Sequence, residues 1–486
     1  MFKQKSLGIN AVLNGLRTIL NMIFPLITFP YVSRVLQVEN LGKYNFASSI
    51  NSYFLLIAGL GISTYAIREG AKFRDKKKKF SQFASEIFSI NVISTVIAYL
   101  LLFLCIAMVP KFQSYIIVIL VFSIEIAFTT LGTEWVFSIF EEYTYITIRS
   151  IFFKIISIVL LFILVREPDD YIVYAGITVF SNAGSNILNF FRAKKYCNLR
   201  LTLKCNWKDH FKPILVIFGS LAATSIYVNS DTTMLGLMTT DYEVGIYSVA
   251  SKIYRIVKQM LSAVLIVSIP RLALLMGQER FTEYRRTLTQ IFNVLTILLL
   301  PAVTGLILLS REIVLIIASP EYIQATTSLQ LLSIALIFCI FGWIFNQCVL
   351  IPAKKEMIVL KATIISAIAN IFLNFILIPI WKENAAAFST IVAEAIMMVI
   401  CTYYGLKVTR LENGVVKNMI SVIVGCVVIV IICKIVQSFN LSILLTICTS
   451  IALSVGAYIC ILLIFKNVTI VSFFKSINSR KNNRYK

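Results

Sequence analysis

The run from Ile443 to Phe465 does not alternate polar and apolar residues as a barrel strand would, and it is long enough to cross a bilayer as a helix. A helix crossing ~30 Å of hydrocarbon at 1.5 Å per residue needs about 20 apolar residues. Runs of that kind fill almost the whole chain. With 58% hydrophobic residues, 14% charged and a mean hydropathy of +0.86, a soluble protein of 486 residues with a polar surface is excluded. The expectation is an all-α integral membrane protein of about fourteen transmembrane helices. The spans fall near 10–33, 45–67, 84–108, 115–138, 147–165, 171–191, 213–236, 244–269, 287–309, 326–351, 358–380, 385–405, 419–437 and 441–465.

With both termini in the cytoplasm, Lys and Arg of the inside segments outnumber those of the outside ones by roughly five to one. Arg68 to Lys79 and Arg192 to Lys212 carry most of this excess. The net charge of +22 therefore reads as topology signal and contact with anionic lipid, and no nucleic acid is expected. Lys3 and Lys5 precede an apolar stretch too long for a signal peptide's core, with Arg17 inside it and no small-x-small cleavage site, so it is expected to stay as span one.

Catalytic equipment is missing. There is no Gly-x-x-x-x-Gly-Lys-Ser/Thr loop, no His-Glu-x-x-His and no Gly-x-Ser-x-Gly, so ATP is not this chain's direct energy source. Gly59 and Gly61 lie within span two, where glycine permits close helix approach. Outer loops such as Arg166-Glu167-Pro168-Asp169-Asp170 are too short for the aqueous domain of a polysaccharide polymerase or ligase. Of ten cysteines none forms a Cys-x-x-Cys pair, and Cys426 and Cys433 share a helix face as packing residues do. Cys197, Cys205 and His210 share a loop at irregular spacing and make a weak zinc set. No metal, cofactor or catalytic residue is expected.

Gly42-Lys43-Tyr44-Asn45-Phe46-Ala47-Ser48 returns as Gly245-Ile246-Tyr247-Ser248-Val249-Ala250-Ser251, each copy opening an apolar run. An even number of spans, six, separates the copies, so the halves run parallel about a pseudo-two-fold axis along the membrane normal. This predicts a six-helix lobe over 1–207, a second over 208–407, and two additional helices with a basic tail over 408–486. A transported substrate is expected in a central cavity between the lobes.

Each ionisable residue at mid-bilayer costs ~2.5–3.5 kcal/mol, so such groups must face protein or water. Span eight holds the densest set: Lys252, Arg255 and Gln259 on one stripe at 100° per residue, with Lys258 beside it. Three cations within two turns repel one another unless carboxylates or an anionic ligand balance them. They predict a cationic cavity wall, to which Arg17 in span one and Lys154 in span five are weaker additions. The competing reading is charge pairing with Asp231 of span seven and with Glu125, Glu134 or Glu394. Arg149, Lys361 and Lys434 lie near span ends and are expected to snorkel. Pro25, Pro30 and Pro301 predict kinks, which serve either alternating access or packing.

Pro30-Tyr31-Val32-Ser33-Arg34-Val35-Leu36, followed by Glu39-Asn40-Leu41-Gly42-Lys43-Tyr44, resembles the start of Wzx-type polysaccharide repeat-unit flippases of the multidrug/oligosaccharidyl-lipid/polysaccharide exporter superfamily. Asp231-Thr232-Thr233-Met234-Leu235-Gly236, followed by Val244 to Ile253, resembles that family's second-half signature, and with the span count the likeness covers nearly the full chain. The resemblance implies a MATE-like, V-shaped fold of two six-helix lobes, often with two extra helices. It implies movement of undecaprenyl-pyrophosphate-linked oligosaccharide, such as an O-antigen or capsule unit, from the cytoplasmic to the outer leaflet of the bacterial plasma (inner) membrane. Arg17, Asp231, Lys252 and Arg255 match places where relatives put ionisable residues toward the cavity. Polymerase and chain-length machinery of the same pathway are implied partners. A drug or cation antiporter of the superfamily is the alternative, disfavoured because cationic substrates want an acidic cavity.

Overall fold

Without water to bond, backbone amides and carbonyls in a bilayer must bond each other, and a single chain segment satisfies that as a helix. The computed structural model describes residues 7–202, 207–412, 414–467 and 469, with side chains from residue 23 on apart from 207 and 208. Every regular element among the described residues is helical: α1 (Leu7–Gly59), α2 (Ile62–Gly70), α3 (Lys77–Met108), α4 (Pro110–Gln113), α5 (Ile116–Gly132), α6 (Glu134–Ile139), α7 (Tyr143–Leu164), α8 (Tyr171–Ala183) and α9 (Asn186–Ala193), then α10 (Trp207–Met238), α11 (Asp241–Gly277), α12 (Phe281–Leu308), α13 (Ser310–Ile317), α14 (Ala325–Phe345), α15 (Glu356–Leu406), α16 (Val415–Ser438) and α17 (Ile443–Ile464). A π turn, Asn346–Leu350, extends α14.

Among the described residues, ten helical stretches are long and apolar enough to cross a membrane. Two of them, Ile23–Phe73 and Glu356–Leu406, run for 51 residues, over twice what one crossing needs. Each contains a residue out of helical geometry, Gln37 (φ 59°) in α1 and Lys382 (φ 50°) in α15. Counting these as two passes each, and adding the shorter α5 and the α8–α9 pair, reproduces the fourteen spans expected from hydropathy. Several boundaries differ: span two closes at Gly59, before Leu60 and Gly61 of positive φ, and span four is broken at Thr133. The expected gap after span one, residues 34–44, shrinks to Gln37 alone, because the polar Arg34, Glu39 and Asn40 that resemble a loop sit on helix, where Asn40 donates to the Pro168 carbonyl at 2.8 Å.

The contacts divide the chain into two compact units, Met1–Gly245 and Ile246–Lys486. In the first, α1 packs against α3, α5, α7, α8 and α10. Beneath it, Tyr65, Phe80, Phe83, Trp135, Phe137, Phe140 and Tyr196 form an aromatic core around the basic loops. His210 enters that core with both ring nitrogens engaged: Nδ1 lies 2.7 Å from the Tyr65 hydroxyl and Nε2 lies 2.9 Å from the Glu86 carboxylate. Both ring nitrogens are thereby taken by protein groups, and burial pushes the Cys197 thiol up to about 12. Cys205, the third member of the set, lies outside the described residues, and no cluster of metal-ligating side chains occurs among those described. In the second unit α14 lies along α15, α12 contacts α14 and α16, and α16 pairs with α17. Tyr458 of α17 covers Gly425 of α16 and donates to the Ile297 carbonyl of α12 at 2.9 Å.

The sequence repeat has a geometric counterpart. In its first copy Gly42 stands five residues past the break at Gln37; in its second, Gly245 stands five past Thr240, where α10 gives way to α11. The start of α11 is marked by Thr240, whose backbone N–H donates to the Glu243 carboxylate at 3.2 Å, and by Asp241 and Glu243 in the first turn, where acidic groups complement the helix dipole. A Cβ on Gly42 would lie 1.9 Å from the Asp241 carbonyl oxygen, and a Cβ on Gly245 would lie 2.0 Å from the Val38 carbonyl oxygen. Each glycine thus admits the backbone four residues before the other.

Replacing either glycine by alanine forces a backbone carbonyl aside, and strain of this kind costs about 1–3 kcal/mol. Gly42→Ala and Gly245→Ala are each expected to lower the melting temperature of the detergent-purified protein by several degrees. Gly59→Ala, whose new methyl meets nothing within 4 Å, should leave it unchanged; equal melting of all three would contradict the reciprocal contact.

Candidate functional site

On α11 the buried face is made by Ser251, Ile253 and Tyr254, which leaves the cations of the same turns toward the helix's less covered side. Lys252 is half-buried, while Arg255 and Gln259 are exposed. Lys258 turns back toward protein. Its Nζ lies 3.2 Å from Oε1 of Glu394, on the second half of α15, and the Tyr254 hydroxyl donates to the same oxygen at 3.2 Å. The ammonium also stands 5.5 Å from the centre of the Tyr254 ring, and Cys339 of α14 lies beside the pair. Glu394 keeps 6% of its side chain exposed against 33% for Lys258, so the carboxylate is the member that depends on its partner.

Arg255 has no ion pair among the described residues, and it stands one turn from Lys252. Two cations at that spacing repel, and an exposed guanidinium offers five fixed donors to a planar or tetrahedral anion. The structure therefore brings Lys258 and Glu394 into contact and leaves Arg255 open on the same helix.

The remaining expected residues lie in the first unit. Asp231 is buried in α10, two residues before Thr233, whose hydroxyl bonds Ser49 at 3.0 Å and Tyr53 at 3.2 Å on α1. Glu125 is half-buried in α5, on the side of Asn182 of α8. Lys154 of α7 is half-buried with its Nζ 5.5 Å from the centre of the Phe24 ring. Arg17 falls on α1, and its side chain lies outside the described residues.

Arg149 departs from the snorkelling expected of it. It is 7% exposed, and its Nη2 donates to Glu134 at 2.9 Å, which makes the pair internal to the fold. The partner stands just past Thr133, a left-handed residue (φ 40°) separating α5 from α6, and nothing in the spacing announces that break. Tyr254, which donates to Glu394, carries no charge and so leaves no mark among the ionisable residues of the apolar runs.

Residues 7–276 match the family model described as polysaccharide biosynthesis protein. The chain is 26% identical over 394 residues to a Shigella dysenteriae protein named "Putative O-antigen transporter", covering 78% of this chain and 94% of that one. It is 24% identical over 384 residues to the protein of the same name from Escherichia coli K12, covering 78% and 91%. With the capsular polysaccharide biosynthesis protein CapF of Staphylococcus aureus it shares 21% over 377 residues, covering 75% and 91%. Among solved structures, the lipid II flippase MurJ in an inward closed conformation superposes with a TM-score of 0.77 at 13% identity, covering 95% of this chain and all of that one. An inward-facing multidrug resistance MATE family transporter of the MOP superfamily gives 0.57, also at 13%, covering 79% and 97%. At these identities the structural likeness is one of fold, and it is the MATE-like fold expected. The family match extends over more than half the sequence, and on that ground this multi-pass membrane chain belongs to the polysaccharide biosynthesis protein family.

Proposed function

We propose that the chain is a lipid-linked oligosaccharide flippase of the bacterial plasma membrane, both termini cytoplasmic. Its cargo is an undecaprenyl-pyrophosphate-linked polysaccharide repeat unit, moved from the cytoplasmic to the outer leaflet by alternating access along a cationic path. One observation carries the reading: Arg255, exposed on a membrane-spanning helix beside Lys252, has no carboxylate paired to it among the described residues. A charge in that position needs water and an anion, and a pyrophosphate head group bearing sugars brings both requirements together. The names of the relatives, O-antigen transporter and capsular polysaccharide biosynthesis protein, point the same way.

In this reading Lys252, Arg255 and Arg17 bind the pyrophosphate or acidic sugars. Lys154 and Lys258 extend the basic surface, Lys258 to a lesser degree because Glu394 holds it. Asp231 pairs with a cation and follows a coupling ion, and Glu125 and Glu394 balance charge. Anionic lipids contact the basic loops, and the polymerase and chain-length machinery of the pathway take the product. A multidrug or cation antiporter would want the opposite sign on α11.

Arg255→Ala is expected to abolish surface polysaccharide at unchanged protein level, with lipid-linked intermediates accumulating on the cytoplasmic side. Arg255→Lys should retain part of the export, since charge survives and the planar fork does not. Normal surface polysaccharide in the alanine variant would refute the assignment. Lys258→Ala strands a buried carboxylate; with a third of the lysine side chain exposed, the loss should be about 1–3 kcal/mol, below that of a fully buried pair. Thermal unfolding in detergent should show this loss, and adding Glu394→Gln should recover most of it.

A further inference from the structure

Away from α11, the second unit contains a polar cleft of about 610 Å³ where the end of α12, the first turn of α13, α14 and the α16–α17 turn meet. It lies at the ends of α12 and α16 remote from Arg280, Arg285 and Arg286 and from Arg410 and Lys417, which by the positive-inside rule is the outer side. We propose that this cleft is a saccharide-binding site for one or two sugar rings of a glycan at the outer face.

The cleft presents fixed donors and acceptors. Gln330 donates its amide to the Ile307 carbonyl at 3.3 Å and to the Ser310 hydroxyl at 3.0 Å; Gln437 donates to the Leu308 carbonyl at 3.0 Å and to Glu312 at 3.1 Å. Both amides are thereby locked with their hydrogens engaged, and their oxygens have no partner among the described residues. Arg311 is exposed, without an ion pair among the described residues, and adds donors; Asn440, exposed on the α16–α17 turn, adds one donor group and one acceptor. Fixed acceptors beside fixed donors suit hydroxyl groups, which act as both, and Leu315 and Leu441 offer apolar surface to the C–H face of a ring.

Other ligand classes fit less well. A metal ion would find one carboxylate, Glu312, with a guanidinium on the preceding residue. A phosphate would find one cation with that carboxylate next to it. The site is independent of the charges on α11 and rests on the proposed flippase activity only for a supply of glycan at the outer face.

The test uses the full-length protein in cells that make the polysaccharide, with p-benzoyl-phenylalanine replacing Asn440 or, in a second variant, the exposed Ser438. After irradiation the labelled peptide is analysed by mass spectrometry. A hexose-type adduct is expected, falling about tenfold on adding Arg311→Ala or Gln437→Leu, the loss of one good hydrogen-bonding group from a ligand. Arg311 is exposed, so its variant keeps the fold intact. An unmodified peptide at both positions, a phospholipid adduct without sugar, or an adduct unchanged in both variants would overturn the cleft. Surface polysaccharide from the same cells separates the readings. Polysaccharide with no sugar adduct removes the cleft and leaves the flippase; a sugar adduct in cells whose export persists after Arg255→Ala removes the flippase assignment and leaves the cleft.

Discussion

Two carbonyl oxygens, of Val38 and Asp241, occupy the space where side chains at positions 245 and 42 would begin. Helices that meet backbone to backbone in this way need glycine at the contact, and in a bilayer such close approach replaces the hydrophobic drive that water would supply. The contact sets the packing of α1 against α10 along the rest of their seam. One turn on, Phe46 lies against Gly236, where a Cβ would stand 2.0 Å from the ring, and the next turn brings Thr233 to Ser49 and Tyr53. Asp231, two residues before Thr233, is buried along the same seam.

Charge within the apolar helices obeys a second constraint. An ionised group away from water is tolerated when an opposite charge or a hydrogen-bonding partner answers it. Arg149 is answered by Glu134 and Lys258 by Glu394. Arg255 differs in being exposed with no such answer among the described residues. The contrast separates charges that hold helices together from a charge available to a ligand, although all look alike in a list of ionisable residues.

Hydropathy exposed the number of passes because apolar length is a local property that each segment carries within itself. It misplaced the turn after span one because Arg34, Glu39 and Asn40 have loop composition, and only the Pro168 carbonyl from another part of the chain explains how Asn40 is satisfied on helix. The stripe of Lys252, Arg255 and Gln259 was legible for the same local reason, since helical period alone puts these residues on one side. Which of the flanking charges is paired was not: Lys258 and Glu394 are 136 residues apart, and the lysine, beside the stripe, meets a helix whose position no periodicity encodes.

By itself, then, the sequence determined that this chain is a bundle of membrane-crossing helices with an internal repeat and a cationic eighth span, because helix formation, burial in lipid and side-chain direction arise from short stretches of residues. Tertiary structure alone decided which carboxylate meets which cation, that the repeat's two glycines admit each other's helix, and that Arg311, Gln330, Gln437 and Asn440 line one cleft. Those outcomes depend on where distant helices cross, and a crossing is set by the packing of both partners at once.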